Sequence, residues 1–355
     1  MDFGITVATA ADSWKVVKRA EDLGFSHAWF YDTQMLCADC FVAMGAAAVQ
    51  TSHIRLGTGV LIPSNRIAPV TANAFASLNQ LAPGRIDFGV GTGFTGRRTM
   101  GLGAMKLADM EEYIRVVMNL LNDNVVDFEV EGGRRKITFL NPELELINLA
   151  DPVRLHVSAY GPKARALTAK LAAGWLNFVG DVAGGVAAMQ AMRDSWENAG
   201  HAAPALSAVA FATGCVLRPD EALDSDRAMA QAGPRAAVLL HRAADEALSD
   251  LPNTSPIPAS VAEPVAAYVA MAKHFQPADA RYLENHRGHL MAVKETERPF
   301  VTAEMIRQTT FTGDQPDLVQ RIGALRDAGY TQFTIQLVPG QEAAIEDWAK
   351  VKDAL

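Results

Sequence analysis

Short apolar runs alternate with longer amphipathic stretches along the whole chain. The apolar runs fall at 3–7, 27–31, 54–62, 86–90, 153–157, 175–179, 206–217 and 332–337. Between them, apolar positions recur at helical spacing. In the first such stretch, 11–23, Val16, Val17 and Ala20 share a face and Gly24 supplies a stop. Comparable helices are predicted at 40–50, 69–81, 107–121, 162–173, 182–199, 314–328 and 341–355. Apolar strands that each lead into a helix belong to a parallel sheet covered on its outer face. Eight such units predict a closed α/β barrel, the (β/α)8 TIM barrel, with a doubly wound open sheet as the alternative. Two segments break the alternation. Residues 125–130 and 136–140 flank Gly132-Gly133 and predict a hairpin. Residues 218–311, after the seventh strand, form a long excursion expected to act as a lid. The chain thus reads as one barrel domain, 1–355, with two insertions, and PNTSPIPASVAEP at 252–264 reads as a loop or hinge.

Composition narrows the function. The chain has 355 residues, 49% of them hydrophobic, and a net charge of −8. An acidic balance offers nucleic acid no electrostatic footprint. The one short basic run, Arg134-Arg135-Lys136, sits on the predicted hairpin. No apolar run is long enough to span a membrane, and no basic-then-apolar leader opens the chain, so a cytoplasmic location is expected. Three cysteines argue against a disulfide framework. Cys37 and Cys40 form a C-x-x-C without the second pair zinc requires, and read as incidental. The Asn253-Thr254-Ser255 sequon carries no weight without an export signal. No strand carries the lysine of a Schiff-base aldolase. A metal hydrolase would gather ligands at strand ends, where only Asp32 and Asp181 stand, with His156 in mid-strand, so no metal site is expected.

Gly91-Thr92-Gly93-Phe94-Thr95-Gly96 spells G-x-G-x-x-G after the fourth strand. A dinucleotide turn needs a helix at once and an acidic residue at the next strand end. Here 97–103 adds two glycines before any helical pattern, and Glu111 and Glu112 fall on a helix. The motif therefore reads as a glycine loop at a barrel mouth, where a flat ligand can lie against backbone. A tight strand–helix crossover is the plainer alternative.

Four stretches carry a resemblance. They are RLGTGVLIP at 55–63, LAPGR at 81–85 with GVGTG at 89–93, SAYGPKA at 158–164 with LAAGW at 171–175, and FTGDQP at 311–316 with LRDAG at 325–329. In this order and spacing the chain resembles the bacterial luciferase-like superfamily of flavin monooxygenases and F420-dependent oxidoreductases, nearest its methylenetetrahydromethanopterin reductase-like branch. The resemblance implies FMN, or alternatively the deazaflavin F420, at the strand C-termini. It implies a cis peptide at Gly59-Val60 beneath the ring, with Gly91, Thr92 and Gly93 beside it. It places the phosphate at Ser158, Ala159, Tyr160, Gly161 and Pro162, near Gly180 and Asp181. Pro162 as a first helical residue agrees, since free N–H groups at a helix start suit a phosphate.

Two departures bear on chemistry. Sugar and alcohol dehydrogenases of the superfamily carry His after the second-strand Asp and Glu after the fourth-strand glycines. Here Asp32 is followed by Thr33, and Phe94 stands in the second place. The expectation is an FMN-dependent monooxygenase acting on a small organic molecule. An F420-dependent hydride-transfer enzyme is the alternative, and a non-catalytic flavin-binding protein a second one. The polar cluster Asn285-His286-Arg287-Gly288-His289-Leu290 supplies the expected catalytic groups His289 and His286, with Asp32. His289 leads because apolar Leu290 and Met291 follow it. Arg287, Phe94 and Arg97 are expected to face substrate. Expected partners are the substrate, a separate flavin reductase and a second copy of the chain.

Overall fold

The structure is a computed structural model that describes residues 1–202, 205–249 and 257–355. The sequon at 253–255 and much of the 252–264 loop lie outside the described residues. The strands are β1 (Asp2–Val7), β2 (His27–Phe30), β3 (Arg55–Thr58), β4 (Ile86–Val90), β5 (Val126–Val130), β6 (Gly133–Ile137), β7 (Arg154–Ser158), β8 (Gly174–Phe178), β9 (Ala208–Thr213) and β10 (Gln332–Leu337). Eight of them close a parallel barrel in the order β1-β10-β9-β8-β7-β4-β3-β2, as the alternating pattern predicts. Its wall is covered by α1 (Trp14–Asp22), α2 (Cys40–Gln50), α3 (Ala68–Leu81), a short α4 (Phe94–Arg98), α5 (Leu107–Leu121), α6 (Pro162–Lys170) and α7 (Val182–Asn198). The insertion holds α8 (Asp226–Ala236), α9 (Val238–Ser249), α10 (Ala262–Ala272), α11 (Tyr282–His286) and α12 (Ala303–Thr309). The chain closes with α13 (Gln315–Ala328) and α14 (Ile345–Asp353).

Side chains set the helix starts. Asp39, Asp181, Ser225, Thr302 and Asp314 each accept a backbone N–H of the helix they precede, satisfying donors that no helical carbonyl reaches. The main core lies between barrel and helices, around residues such as Phe75, Phe88 and Trp348. Inside the barrel, Trp29, Leu176, Val209 and Phe211 pack as a plug. Gly89 is required there: a Cβ would lie 2.0 Å from the Thr58 carbonyl oxygen. The barrel interior below is braced by Arg55, which donates to Asp87 at 2.9 and 2.7 Å. The insertion has its own core around Tyr268, Leu240 and Met305.

Three departures from expectation lie at the barrel mouth and the hairpin. The third strand ends at Thr58 rather than 62, because the chain leaves the ladder at the cis Gly59–Val60 peptide and rejoins it at a Leu61–Val90 bridge. The hairpin turns at Glu131-Gly132, not Gly132-Gly133. Both residues have positive φ (52° and 70°) and Gly133 already pairs with Val130, as a tight two-residue turn requires. A helix does follow the 91–96 glycines at once: α4, which contains Gly96 and was hidden by it. Among the described residues no helix is long and apolar enough to cross a membrane.

Candidate active site

A cavity of about 390 Å³ opens where β2, β3, β4, β7 and β8 end. That is the C-terminal face, where TIM barrels keep their active sites. A larger cavity of about 870 Å³ lies at the opposite end, between α5 and the strand starts. The smaller one alone gathers the cis peptide and the glycine loop. Its glycine-rich lining is Gly59-Val60 and Gly91-Thr92-Gly93, with Ser158 and Tyr160 also lining it. The glycines let segments meet closely: a Cβ on Gly91 would lie 2.8 Å from the Val60 side chain. Tyr31 and Asp32 line it from the end of β2. The lid contributes Arg235, Arg242, His289, Leu290 and Met291.

His289 reaches the cavity at the end of a buried polar chain. Its Nε2 lies 3.4 Å from the Thr95 hydroxyl, and its Nδ1 lies 2.7 Å from Nδ1 of His241. His241 Nε2 lies 2.8 Å from Glu297 Oε1, which also takes Lys294 at 2.9 Å and the Tyr268 hydroxyl at 3.2 Å. Burial pushes the Glu297 carboxyl up, but the His241 and Lys294 bonds outweigh it and hold it below the usual range. Glu297 is therefore ionised and accepts the His241 Nε2–H. His241 is neutral, because burial holds its pKa down despite Glu297. Its Nδ1 is then an acceptor, and His289 Nδ1–H donates to it. His289 itself is held well below the ordinary imidazole value, by burial first and then by His241, His286, Arg242 and Arg235. What faces the cavity is consequently the Nε2 lone pair of a neutral, oriented imidazole: a base.

A second buried chain locks the lid onto the barrel mouth. Arg98 of α4 donates to Asp245 of α9. Asp245 also takes His286 Nε2 at 2.9 Å and Asn285 Nδ2 at 2.9 Å. Burial raises the Asp245 carboxyl, and the His286 and Arg98 contacts more than offset it. The Arg98 guanidinium stacks over Phe94 at 3.7 Å.

A family model described as luciferase-like monooxygenase matches residues 5–332. The chain belongs to that family. An F420-dependent glucose-6-phosphate dehydrogenase of Nakamurella multipartita is 34% identical over 166 residues, 44% of this chain. That match spans about half of the relative, 47% of its length. A 5,10-methylenetetrahydromethanopterin reductase of Archaeoglobus fulgidus is 26% identical over 94% of this chain and 92% of its own. In fold, the chain is similar to the coenzyme F420 dependent tetrahydromethanopterin reductase of Methanopyrus kandleri. The TM-score is 0.69 at 21% identity, covering 98% of this chain and 97% of that one.

In this luciferase-like chain, several residues singled out from sequence converge on the cavity: Gly59, Val60, Gly91, Thr92, Gly93, Phe94, Ser158, Tyr160 and His289. Others stand elsewhere. Asp32 lines the cavity, but its carboxylate is committed. It takes Arg66 at 2.9 Å through each oxygen, the Ile62 N–H at 3.0 Å and Asn65 at 3.2 Å. It holds the mouth loop and is not a free base. His286 is turned to Asp245 and belongs to the lid anchor. Arg287 is 77% exposed and faces Glu284 across 3.9 Å, away from substrate space. Arg97 donates to the Gly103 carbonyl at 2.6 Å on the outer side of α4. The inward arginine is its neighbour Arg98. Ala159 is buried with its carbonyl bonded to Trp175 at 2.8 Å. Gly161 and Pro162 lie at the exposed start of α6. Gly180 packs on the Thr309 backbone, and Asp181 caps α7 through the Gly184 N–H at 2.7 Å. Burial raises the Cys37 thiol to about 11 and raises that of Cys40 further, so neither is a thiolate at neutral pH.

Sequence reasoning missed His241, Asp245 and Glu297, and with them Arg98, Arg235 and Arg242. Helical spacing puts Arg235 and Arg242, seven residues apart, on one face. That was the available signal for those two. The acids that fix the histidines lie 41 and 56 residues from their partners in sequence, a separation that carries no local pattern.

Proposed function

We propose that the protein is an F420-dependent oxidoreductase that moves a hydride between the deazaflavin and a small organic substrate. The observation that carries this reading is the cavity itself, where a glycine-rich wall and a neutral imidazole of fixed tautomer line one space. Sequence favoured FMN and monooxygenation. The relatives named as F420-dependent support the alternative better.

The residues present fit a ring with a phosphate-bearing tail. Gly59-Val60 and Gly91-Thr92-Gly93 would meet the ring with backbone rather than side chains. The tail's phosphate would meet the α6 N-terminus, which has no side-chain cap and where a Cβ on Gly161 would meet nothing within 4 Å. The bound group supplies a carbon that gives or takes a hydride. His289 Nε2 would accept the proton released when substrate is oxidised. The Glu297–His241 pair keeps that nitrogen facing inward. The lid, held by Arg98 and Asp245, keeps water from the reacting atoms.

The test is a pair of titrations of the purified protein, one with F420 and one with FMN, read by the fluorescence of each. Tighter binding of F420 is expected. Tighter binding of FMN would return the protein to flavin monooxygenation, and binding of neither would refute an enzyme of this class.

A further inference from the structure

The lid brings two guanidiniums to the cavity wall. Asp32, the one carboxylate among the described lining residues, is neutralised by Arg66. Two guanidiniums, Arg235 and Arg242, line the same space. Arg242 lies 5.1 Å over the Phe94 ring, next to Arg98 and Asp245. For Arg235, no described carboxylate forms a pair. Tyr160 and Tyr31 line the same cavity beside it. Tyr31 is 7% exposed, and its hydroxyl has no hydrogen-bond partner among the described residues. A buried hydroxyl without a partner and a partly buried cation without a counter-ion are each costly. Here both sit in one wall, and among the described residues both lack the same thing, an acceptor carrying negative charge.

We propose that Arg235, Arg242 and the Tyr31 hydroxyl form an oxyanion subsite, and that the substrate is a small organic anion that docks a carboxylate or phosphate there. The placement follows from the lid's helices. Arg235 lies in the last turn of α8 just after Pro234, and Arg242 lies two turns on in α9, so both reach the same cavity. A guanidinium offers a planar fork that fits two oxygens of either anion, and a phenol adds a third donor. His289 faces the same cavity. An anion held by the arginines therefore has its neighbouring carbon within the space where His289 takes a proton. This assignment rests on the hydride-transfer reading for the reaction but not for the anion. The lid arginines, and not the phosphate loop at Ser158–Pro162, choose the substrate.

The experiment is calorimetric titration of sodium benzoate and of inorganic phosphate, separately, into the protein with and without F420. The wild-type chain, Arg235→Met, Arg235→Lys and Tyr31→Phe are compared. One of the two anions is expected to bind the wild-type protein, and which one binds names the group. Arg235→Met should weaken that binding about 10- to 100-fold. Arg235→Lys keeps charge without the fork and should fall between. Tyr31→Phe should lose less than Arg235→Met. F420 affinity should hold in all three variants. Binding of neither anion to wild type overturns the proposal. So does anion binding unchanged in Arg235→Lys and Tyr31→Phe, or loss of F420 affinity in step with Arg235 substitution, which would give Arg235 to the cofactor. Failure of wild type to bind F420 while the cofactor-free protein still binds an anion through Arg235 would refute the hydride-transfer reading and leave the subsite standing.

Discussion

His289 is an ordinary residue type given its role by its neighbours. Substituting it by alanine removes the base but touches no backbone element. Turnover on an identified substrate should fall about 100-fold or more with cofactor affinity near wild type, while the melting temperature drops by a few degrees because the buried His241 Nδ1 loses its donor. Because His289 is held well below the ordinary imidazole value, it remains a neutral base as pH falls through about 6.5. A pH–rate profile should therefore show no loss of kcat/KM near 6.5, and an inflection there would contradict the Glu297–His241–His289 assignment. Glu21 shows the same logic applied to stability. Its buried carboxylate accepts the Ser52, His53 and Ile54 N–H groups at 2.8, 2.8 and 3.0 Å. Burial pushes the pKa up, but these bonds outweigh it and lower it from 4.5 to about 2. A folded-state value below the unfolded one stabilises above about pH 4.5, and that contribution is lost as pH falls towards 2. It amounts to about 3 kcal/mol at neutral pH. Glu21→Gln should cost about 1–3 kcal/mol at pH 7 and nearly nothing at pH 2, a difference that denaturant melts at the two pH values will show. Neither the His289 chain nor the Glu21 cradle was legible in the sequence. Each depends on what burial brings beside the residue.

At the scale of elements, the alternation of apolar runs and helical patterns carried most of the barrel, because a buried parallel strand and the helix that covers it have different periods. It failed where an element is too short or too irregular to show a period. The five-residue α4 contains a glycine, and α8 runs through Pro234 into α9. The start of α6 was legible through Pro162 and supports a specific test. Gly161 has φ −85° and ψ 163°, extended backbone open to any residue, and a Cβ there meets nothing within 4 Å. Gly161→Val should therefore leave the melting temperature within a degree or two. Its side chain would stand over the free N–H groups of α6 and should weaken cofactor binding about tenfold, ~1.4 kcal/mol. Equal F420 affinities for the two proteins would remove α6 from the cofactor site.

For the whole molecule, one surface lacks a cover. Val42 and Val49 of α2, Ile67 before α3 and Val70 and Leu81 on it are exposed, as are Leu140, Leu144 and Leu146. The last three belong to the loop after β6, which is tied to α3 by Asn148 N–H to the Ala76 carbonyl at 3.0 Å and by Asn148 Nδ2 to the Asn79 carbonyl at 3.2 Å. The α2 and α3 helices pack side by side on the barrel wall, so these residues share one side of the molecule. Scattered apolar residues need no explanation, but a grouped set of this kind marks an interaction site. A two-fold contact would bury the patch against itself, since each exposed valine then meets its own counterpart's surroundings. The expected outcome of light scattering after gel filtration is a particle of twice the chain's mass. Val49→Asp with Val70→Asp would place charges in the middle of the contact and should give a particle of the chain's own mass with F420 affinity retained. Stable pairs also bury about 800 Å² per partner, so the doubly substituted protein should melt at lower temperature than wild type at high protein concentration and equally at high dilution. A wild-type particle of single mass would assign the apolar face to another partner.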